Sequence, residues 1–131
     1  MNQYVADTHA LFWYLTASPR LGRAAKAAFD EAAAGEAMIH LPVVVLAELY
    51  FLNDKAGRPL DFAAEFERLR QAGQFTMVPF IPEDILDFRD DAPVGEMHDR
   101  MIVGVARRLG AICLSKDADI IASRHVPVRW E

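Results

Sequence analysis

The sequence is short of cysteine and of long apolar runs. Its 131 residues include one cysteine, Cys113, which cannot form a disulfide within the chain. A reducing compartment is therefore expected. The longest purely apolar stretch, residues 41–47, is far below the roughly 20 residues that cross a bilayer. The N-terminus does not have the basic and apolar regions of a secretory leader. We expect a soluble cytoplasmic protein that does not insert into membranes.

Positive charge is also scarce. The net charge of −5 and the isoelectric point near 5.3 argue against a protein that coats nucleic acid by overall charge. They do not exclude an enzyme that gathers carboxylates around metal ions and keeps a few local cations for phosphates. Zinc-type spacing is missing among the four histidines, which are His9, His40, His98 and His125.

Short apolar segments alternate with helical ones along the whole chain, and 53% of the residues are hydrophobic. Strands are predicted at 3–7, 37–41, 75–80, 111–115 and 126–130. Helices are predicted at 8–16, 18–35, 42–53, 59–73, 82–88, 98–109 and 118–123. This alternation predicts one α/β domain, residues 1–131, with a central and mainly parallel sheet of about five short strands.

Four carboxylates stand at positions that are unusual for an exposed, solvated acid. Asp7 ends a predicted strand, Asp117 follows another, Glu48 is centred in an apolar helix, and Asp99 begins a helix after a loop. The carboxyl ends of parallel strands share one edge of a sheet, so these side chains are expected to meet there. Carboxylate oxygens without accompanying His or Cys ligands suit Mg²⁺ or Mn²⁺. Such ions activate water and neutralise phosphate oxygens in phosphodiester hydrolysis.

Each acid also has an ordinary structural explanation. Asp7 would fit an Asx-turn between strand and helix. Glu48 would fit an ion pair with a core arginine, and Asp99 is favoured by the dipole of its helix. Asp117 or Asp119 would fit the N-terminal cap of the last predicted helix, and for Asp119 this is the preferred interpretation.

Three segments and the short terminal strand together resemble PIN-domain ribonucleases, in particular the VapC toxins of bacterial type II toxin–antitoxin pairs. The segments are "VADTHALFW" (5–13), "VVVLAELYF" (43–51) and "MHDRMIVGVARRLGAICLSKDADI" (97–120). The likeness covers nearly the whole chain in order and implies a three-layer α/β/α sandwich. It implies a catalytic and metal-binding set consisting of Asp7, Glu48, Asp99 and Asp117.

Five further residues are candidates around that set. Thr8 matches the small hydroxyl residue after the family's first Asp, and Ser115 matches the Ser/Thr position two before the last acid. Their hydroxyls would orient carboxylates or water. Asp119 is kept as a further neighbour of the site. Arg100 and Lys116 flank the acids and are candidate phosphate contacts, with solvated surface cations as the alternative.

The resemblance implies a Mg²⁺-dependent endoribonuclease, with Mn²⁺ as an alternative ion. It would hydrolyse RNA phosphodiester bonds with metal-activated water and leave 5′-phosphate and 3′-hydroxyl ends. VapC proteins commonly form homodimers and are neutralised by a VapB antitoxin that lies over the active-site groove. The stretches 11–15 and 48–52 are rich in aromatic residues, which would pack against the antitoxin or a second subunit, or alternatively fill the core. These residues are Phe12, Trp13, Tyr14, Tyr50 and Phe51.

Rival interpretations share parts of this pattern. One is a PIN nuclease that acts in RNA processing or on DNA without an antitoxin, and another is a non-catalytic PIN binding module. A haloacid-dehalogenase-like phosphatase is disfavoured because it needs a second Asp where this chain has His9. The sequence departs from the family in the run before Asp99, where His98 has either a substrate contact or a loop or cap role.

Overall fold

A five-stranded parallel sheet organises the computed structural model, which describes residues 1–123 and 126–131. The strands are β1 (Asn2–Ala6), β2 (Ala37–Pro42), β3 (Phe75–Val78), β4 (Ile112–Leu114) and β5 (Val128–Arg129). Their order in the sheet is β3-β2-β1-β4-β5, and every pairing is parallel. The predicted α/β class with a parallel sheet is therefore confirmed.

Helices connect the strands and complete the layers on the two faces of the sheet. They are α1 (Thr8–Leu15), α2 (Arg23–Ala33), α3 (Val43–Lys55), α4 (Phe62–Gln71), α5 (Pro82–Leu86), α6 (Met97–Leu109) and α7 (Ala118–Ser123). Within the described residues, no helix has the length and apolar character needed to span a membrane.

The central strand β1 fixes the edge at which the site forms. Tyr4, Val5 and Ala6 are fully buried, as expected for a strand paired on both sides in a parallel sheet. Ala6 is in register with Leu114 of β4. The next backbone N–H, that of Asp7, donates to the Leu114 carbonyl at 3.1 Å. The residues that follow β1 and β4 are thus brought side by side.

Helix α2 begins later than the prediction of 18–35, because a glycine marks its start. Gly22 is the N-terminal cap, and the Trp130 carbonyl accepts the Ala25 N–H at 3.0 Å. A Cβ atom at Gly22 would lie 2.1 Å from that carbonyl oxygen, so only glycine allows the approach. The C-terminal segment is therefore fastened to the first turn of α2.

Two other predicted helix starts are corrected. Pro42 was expected as the first helical residue of α3, but it ends β2 opposite Val78 and stands as the helix N-cap. A proline is tolerated there because it lies at a strand end. Helix α4 was expected from residue 59, but it starts at Phe62. The Asp61 side chain accepts the Ala64 N–H at 3.2 Å and caps the helix there.

Candidate acidic active site

A cavity of about 350 Å³ opens at the carboxyl edge of the sheet. All four predicted acids line it, and they come from four places in the fold: the ends of β1 and β4, the middle of α3 and the first turn of α6. The full lining consists of Asp7, Thr8, His9, Glu48, Leu52, Asp99, Lys116 and Asp117. Three other candidates, Arg100, Ser115 and Asp119, are not part of this lining.

Asp7 is buried and has two roles. Its Oδ1 accepts the Ala10 N–H at 2.9 Å, so Asp7 is the N-cap of α1. Burial raises the pKa of the Asp7 carboxyl, and hydrogen bonds from Ser115 and the Ala10 amide oppose that shift. Asp7 is therefore a helix N-cap, with a hydrogen bond from the amide three residues on and not the two of an Asx-turn, and it also lines the cavity.

Thr8, rather than an arginine, meets the Glu48 carboxylate. The Thr8 hydroxyl donates to Glu48 Oε1 at 2.7 Å. His98 Nδ1 lies 3.6 Å from Glu48 Oε2 and 3.1 Å from Glu96 Oε1. Among residues 1–123 and 126–131, Glu48 forms no ion pair with an arginine. The alternative of a core arginine partner is thus not what the fold provides.

Asp99 carries the clearest electrostatic sign that the acids converge. It is half-buried in the first turn of α6, which is capped by Glu96 through a 2.7 Å hydrogen bond to the Asp99 N–H. Burial, together with the negative charges of Asp117, Glu96, Glu48 and Asp7, raises the pKa of Asp99 to about 7. A carboxyl group with such a pKa in a cleft is typical of functional sites.

Asp117 is held by the start of α7. Its Oδ1 accepts the N–H groups of Asp119 at 2.9 Å and Ile120 at 3.1 Å. Its own N–H donates to Ser115 Oγ at 3.0 Å. The preferred interpretation of Asp119 as the cap of this helix is therefore wrong, because Asp117 is the cap. The Asp119 side chain is exposed, and Asp119 reaches the site through its backbone N–H.

The two candidate phosphate contacts differ in their surroundings. Lys116 lines the cavity, and its Nζ lies 4.6 Å from the centre of the Trp13 ring. The guanidinium of Arg100 donates to three backbone carbonyls of the 88–94 segment, at distances between 2.7 and 3.3 Å. Arg100 thus braces the loop before α6, and Lys116 is the cation presented to the cavity.

The donor set is made of carboxylate oxygens, which a hard divalent cation prefers. In the described part of the chain, no three His, Cys, Asp or Glu side chains already stand at metal-binding separation. Burial is the main reason that the pKa values of Asp7 and Asp99 are raised, and for Asp99 the negative charges of Asp117, Glu96, Glu48 and Asp7 contribute as well. A bound cation would offset the repulsion between the four acids that line the cavity, so their oxygen donors fit such an ion by their chemistry.

Two contributors were not expected from the sequence. Glu96 caps α6 and adds negative charge beside Asp99, and His9 lines the cavity with its ring centre 5.2 Å from that of Trp13. The spacing of an acid three residues before Asp99 is the available signal for the cap. His9 had no comparable signal, because its contacts depend on the packing of α1.

The aromatic residues of stretches 11–15 and 48–52 divide between the core and the surface. Phe12 and Trp13 are buried, and Tyr14 stacks on Phe29 with ring centres 4.1 Å apart. Tyr50 and Phe51 on α3 are 47% and 71% exposed. The core explanation therefore applies to α1, whereas Tyr50 and Phe51 on α3 are exposed, and their packing against a partner stays a prediction.

An apolar groove runs along the exposed side of α3. One part, of about 400 Å³, is lined by Val43, Leu46, Ala47, Tyr50, Phe51, Phe62, Phe66 and Met77. A second part, of about 420 Å³, shares Val43 and Ala47 with the first and extends to His98 beside the acidic cavity. We call these two parts together the α3 groove.

The PIN-domain family model matches residues 4–125. The chain therefore belongs to the PIN-domain family, which confirms the resemblance and assigns it to a family of nucleases.

Solved structures with the same fold include VapBC proteins bound to DNA. VapBC2 from Rickettsia felis, bound to a DNA fragment from its promoter, matches with a TM-score of 0.74 and 12% identity, over 98% of this chain and 99% of that chain. DNA-bound VapBC from Salmonella typhimurium matches with a TM-score of 0.69 and 14% identity, over 98% of both chains.

The Mycobacterium tuberculosis toxin VapC20, which cleaves the sarcin–ricin loop, also matches. Its TM-score is 0.69 at 16% identity, over 96% of this chain and 98% of that chain. At these identities the likeness shows a shared fold. A comparison with curated protein sequences found no match.

Proposed function

We propose that this PIN domain is the toxin of a type II toxin–antitoxin pair and acts as a Mg²⁺-dependent endoribonuclease, with Mn²⁺ as an alternative ion. One observation carries the proposal: Asp7, Glu48, Asp99 and Asp117 come from four separate elements and line a single cavity. A phosphodiester substrate also needs a cation near the acids, and Lys116 lies there. The single domain and the cytoplasmic location expected from the sequence remain predictions.

The four acids would hold the cation together. When bound, it would supply activation of the attacking water and neutralisation of phosphate oxygens. The surrounding residues have separate tasks. Thr8 orients Glu48 through its hydroxyl, and Ser115 hydrogen-bonds Asp7 while it accepts the Asp117 N–H. Lys116 would contact a substrate phosphate, whereas Arg100 is engaged with the loop before α6.

The proposed protein partner is a VapB-type antitoxin. The Rickettsia and Salmonella structures with this fold are VapBC complexes. The α3 groove offers an apolar surface that continues to His98, next to the acidic cavity. An amphipathic segment seated in this groove would extend over the cavity and block the substrate. We also propose a homodimer, which light scattering of the purified protein would detect.

The nuclease proposal is tested with Asp7→Asn. Asparagine is as good an N-cap as aspartate, so this variant is expected to keep α1 intact and to lose a negative ligand. Wild-type protein should cleave single-stranded RNA with Mg²⁺ and stop when EDTA is added. Asp7→Asn should lose at least about a hundredfold in rate, a size typical of removing a group that stabilises the transition state.

Asp119→Asn is the matched control, because Asp119 is an exposed acid near the site whose side chain does not line the cavity. It should cleave at nearly the wild-type rate. Cleavage that persists in EDTA, or in Asp7→Asn, would contradict the proposed chemistry. Cleavage of DNA but not RNA would instead favour a PIN nuclease with another substrate.

A further inference from the structure

A second cavity adjoins the acidic one at Lys116. It has a volume of about 390 Å³, and its walls include Lys116, Ile121, Arg129 and Trp130. Lys116 belongs to the lining of both cavities. The lysine therefore stands where a substrate strand leaving the acids would pass from one cavity to the other.

The Lys116 ammonium is held over an aromatic ring and not by an acid. Its Nζ lies 4.6 Å from the Trp13 ring centre, a cation–π distance. In residues 1–123 and 126–131, Lys116 has no carboxylate oxygen within salt-bridge distance, although four acids line the same cavity. Its charge is thus available to a phosphate.

The Trp13 ring is itself fixed in place. Trp13 is 6% exposed, and its ring lies between those of His9 and Trp130, with centres 5.2 and 5.8 Å away. Trp130 is held in turn by the close approach of its carbonyl to Gly22. A row of tilted aromatic rings, His9, Trp13 and Trp130, therefore runs from the first cavity to the second, with the Lys116 ammonium over its middle ring.

The second cavity combines the groups that bind single-stranded nucleic acid. Trp130 supplies a partly exposed indole, and Ile121, which is 50% exposed, supplies an apolar wall. Arg129 adds a positive charge that is oriented by a 2.7 Å hydrogen bond to the Tyr4 hydroxyl, and Glu131 is the acid at this cavity. Aromatic platforms next to basic side chains are the usual way to hold unpaired bases and their phosphates.

We propose that this cavity is a subsite for a nucleotide of single-stranded RNA next to the scissile phosphate. Its base packs on Trp130 and Ile121, and its phosphate contacts Lys116. This assignment rests on the proposed nuclease function and adds a place where substrate is selected. An apolar peptide is the poorer fit, because the lining of this cavity includes Lys116, Arg129 and Glu131 and continues into the acidic site, whereas the first part of the α3 groove is lined without charged residues.

Binding is measured in the Asp7→Asn protein, which should not cleave its ligand. The probes are a uridine octanucleotide and a ribose-phosphate octamer without bases. The chain has two tryptophans, one of which is the buried Trp13, so a stacked base should quench the fluorescence of Trp130. The octanucleotide should bind roughly fivefold to a hundredfold more tightly than the abasic octamer, the range expected for one stacked base.

Trp130→Phe should keep most of this preference, and Trp130→Leu should remove it. Ile121→Glu provides a second variant that does not disturb the core, because Ile121 is half exposed. It should also reduce the affinity for the octanucleotide. Its matched control is Ile85→Glu, a residue with 53% exposure on α5, which should bind like the parent protein.

Equal affinity for the two octamers, or equal behaviour of Ile121→Glu and Ile85→Glu, would overturn the subsite. The same experiments distinguish failure of the nuclease proposal from failure of the subsite proposal. If wild type cleaves no nucleic acid but the base preference and its loss in Ile121→Glu are seen, the subsite stands without the reaction. If wild type cleaves RNA and Ile121→Glu leaves KM unchanged, the reaction stands and the subsite is wrong.

Discussion

Asp7 and Asp117 show how single residues satisfy two demands in this fold. Each follows a strand, and each uses Oδ1 to accept backbone N–H groups at the start of the next helix. A carboxylate held in this way has a fixed orientation, and its negative charge is favoured by the helix N-terminus. Capping therefore does not compete with ligand binding at these positions, because it aims the side chain at the cavity edge.

The raised pKa of Asp99 predicts that ionisation of this carboxyl lowers the free energy of unfolding of the metal-free protein. Its pKa rises from an ordinary 3.8 to about 7 in the folded state, so between these values the folded chain binds more protons than the unfolded chain. The free energy of unfolding should therefore fall as pH rises through this window. Asp99→Asn removes the carboxyl whose ionisation destabilises the fold, so in EDTA it should raise Tm more at pH 8 than at pH 5.

The matched control for this prediction is Asp119→Asn, which removes the same charge from an exposed position. It should give no comparable pH-dependent gain in Tm. If Asp99→Asn destabilises the metal-free protein at pH 8, the repulsion between the acids is not the dominant effect at this residue.

At the scale of single elements, α3 shows what sequence patterns can and cannot decide. The apolar run predicted a helix, and Glu48 was recognised within it as unusual. Phe51, three residues later, belongs to the same apolar run, yet its side chain is 71% exposed. A helix that is apolar on nearly all sides does not reveal which side faces the core, because periodicity carries that information only when polar residues alternate with apolar ones.

Two truncations on α3 should separate its core side from its groove side. Leu49→Ala removes a fully buried side chain and should cost about 2–5 kcal/mol of unfolding free energy. Phe51→Ala removes a side chain that is 71% exposed and should change it by about 0.5 kcal/mol or less. Urea denaturation of both variants measures the difference.

A similar loss of stability in Phe51→Ala would mean that Phe51 is part of the core packing and not a free surface. With the expected result, any effect of Phe51→Ala on antitoxin binding would be attributable to the interface itself. This makes the α3 groove testable independently of the acidic site.

At the scale of the whole molecule, the strand order explains why part of the site was predictable. The rule that parallel strands end at one edge was enough to place Asp7 and Asp117 together. The contact of Lys116 with Trp13, and of Trp13 with Trp130, was not predictable, because it depends on β5 lying beyond β4 and on the packing of α1 and α2. Such contacts join distant parts of the chain and leave no local pattern.

Gly22 tests whether the C-terminal segment is part of the folded unit. In Gly22→Ala, the new Cβ would lie 2.1 Å from the Trp130 carbonyl oxygen, so α2 and the segment after β5 must move apart. Overpacking of this kind typically costs 1–3 kcal/mol, and we expect a loss of about that size in urea denaturation.

Gly73→Ala is the matched control, since nothing lies within 4 Å of its added Cβ. It should be neutral or slightly stabilising. Equal stabilities of the two variants would show that the close approach of the Trp130 carbonyl does not depend on a glycine at this turn.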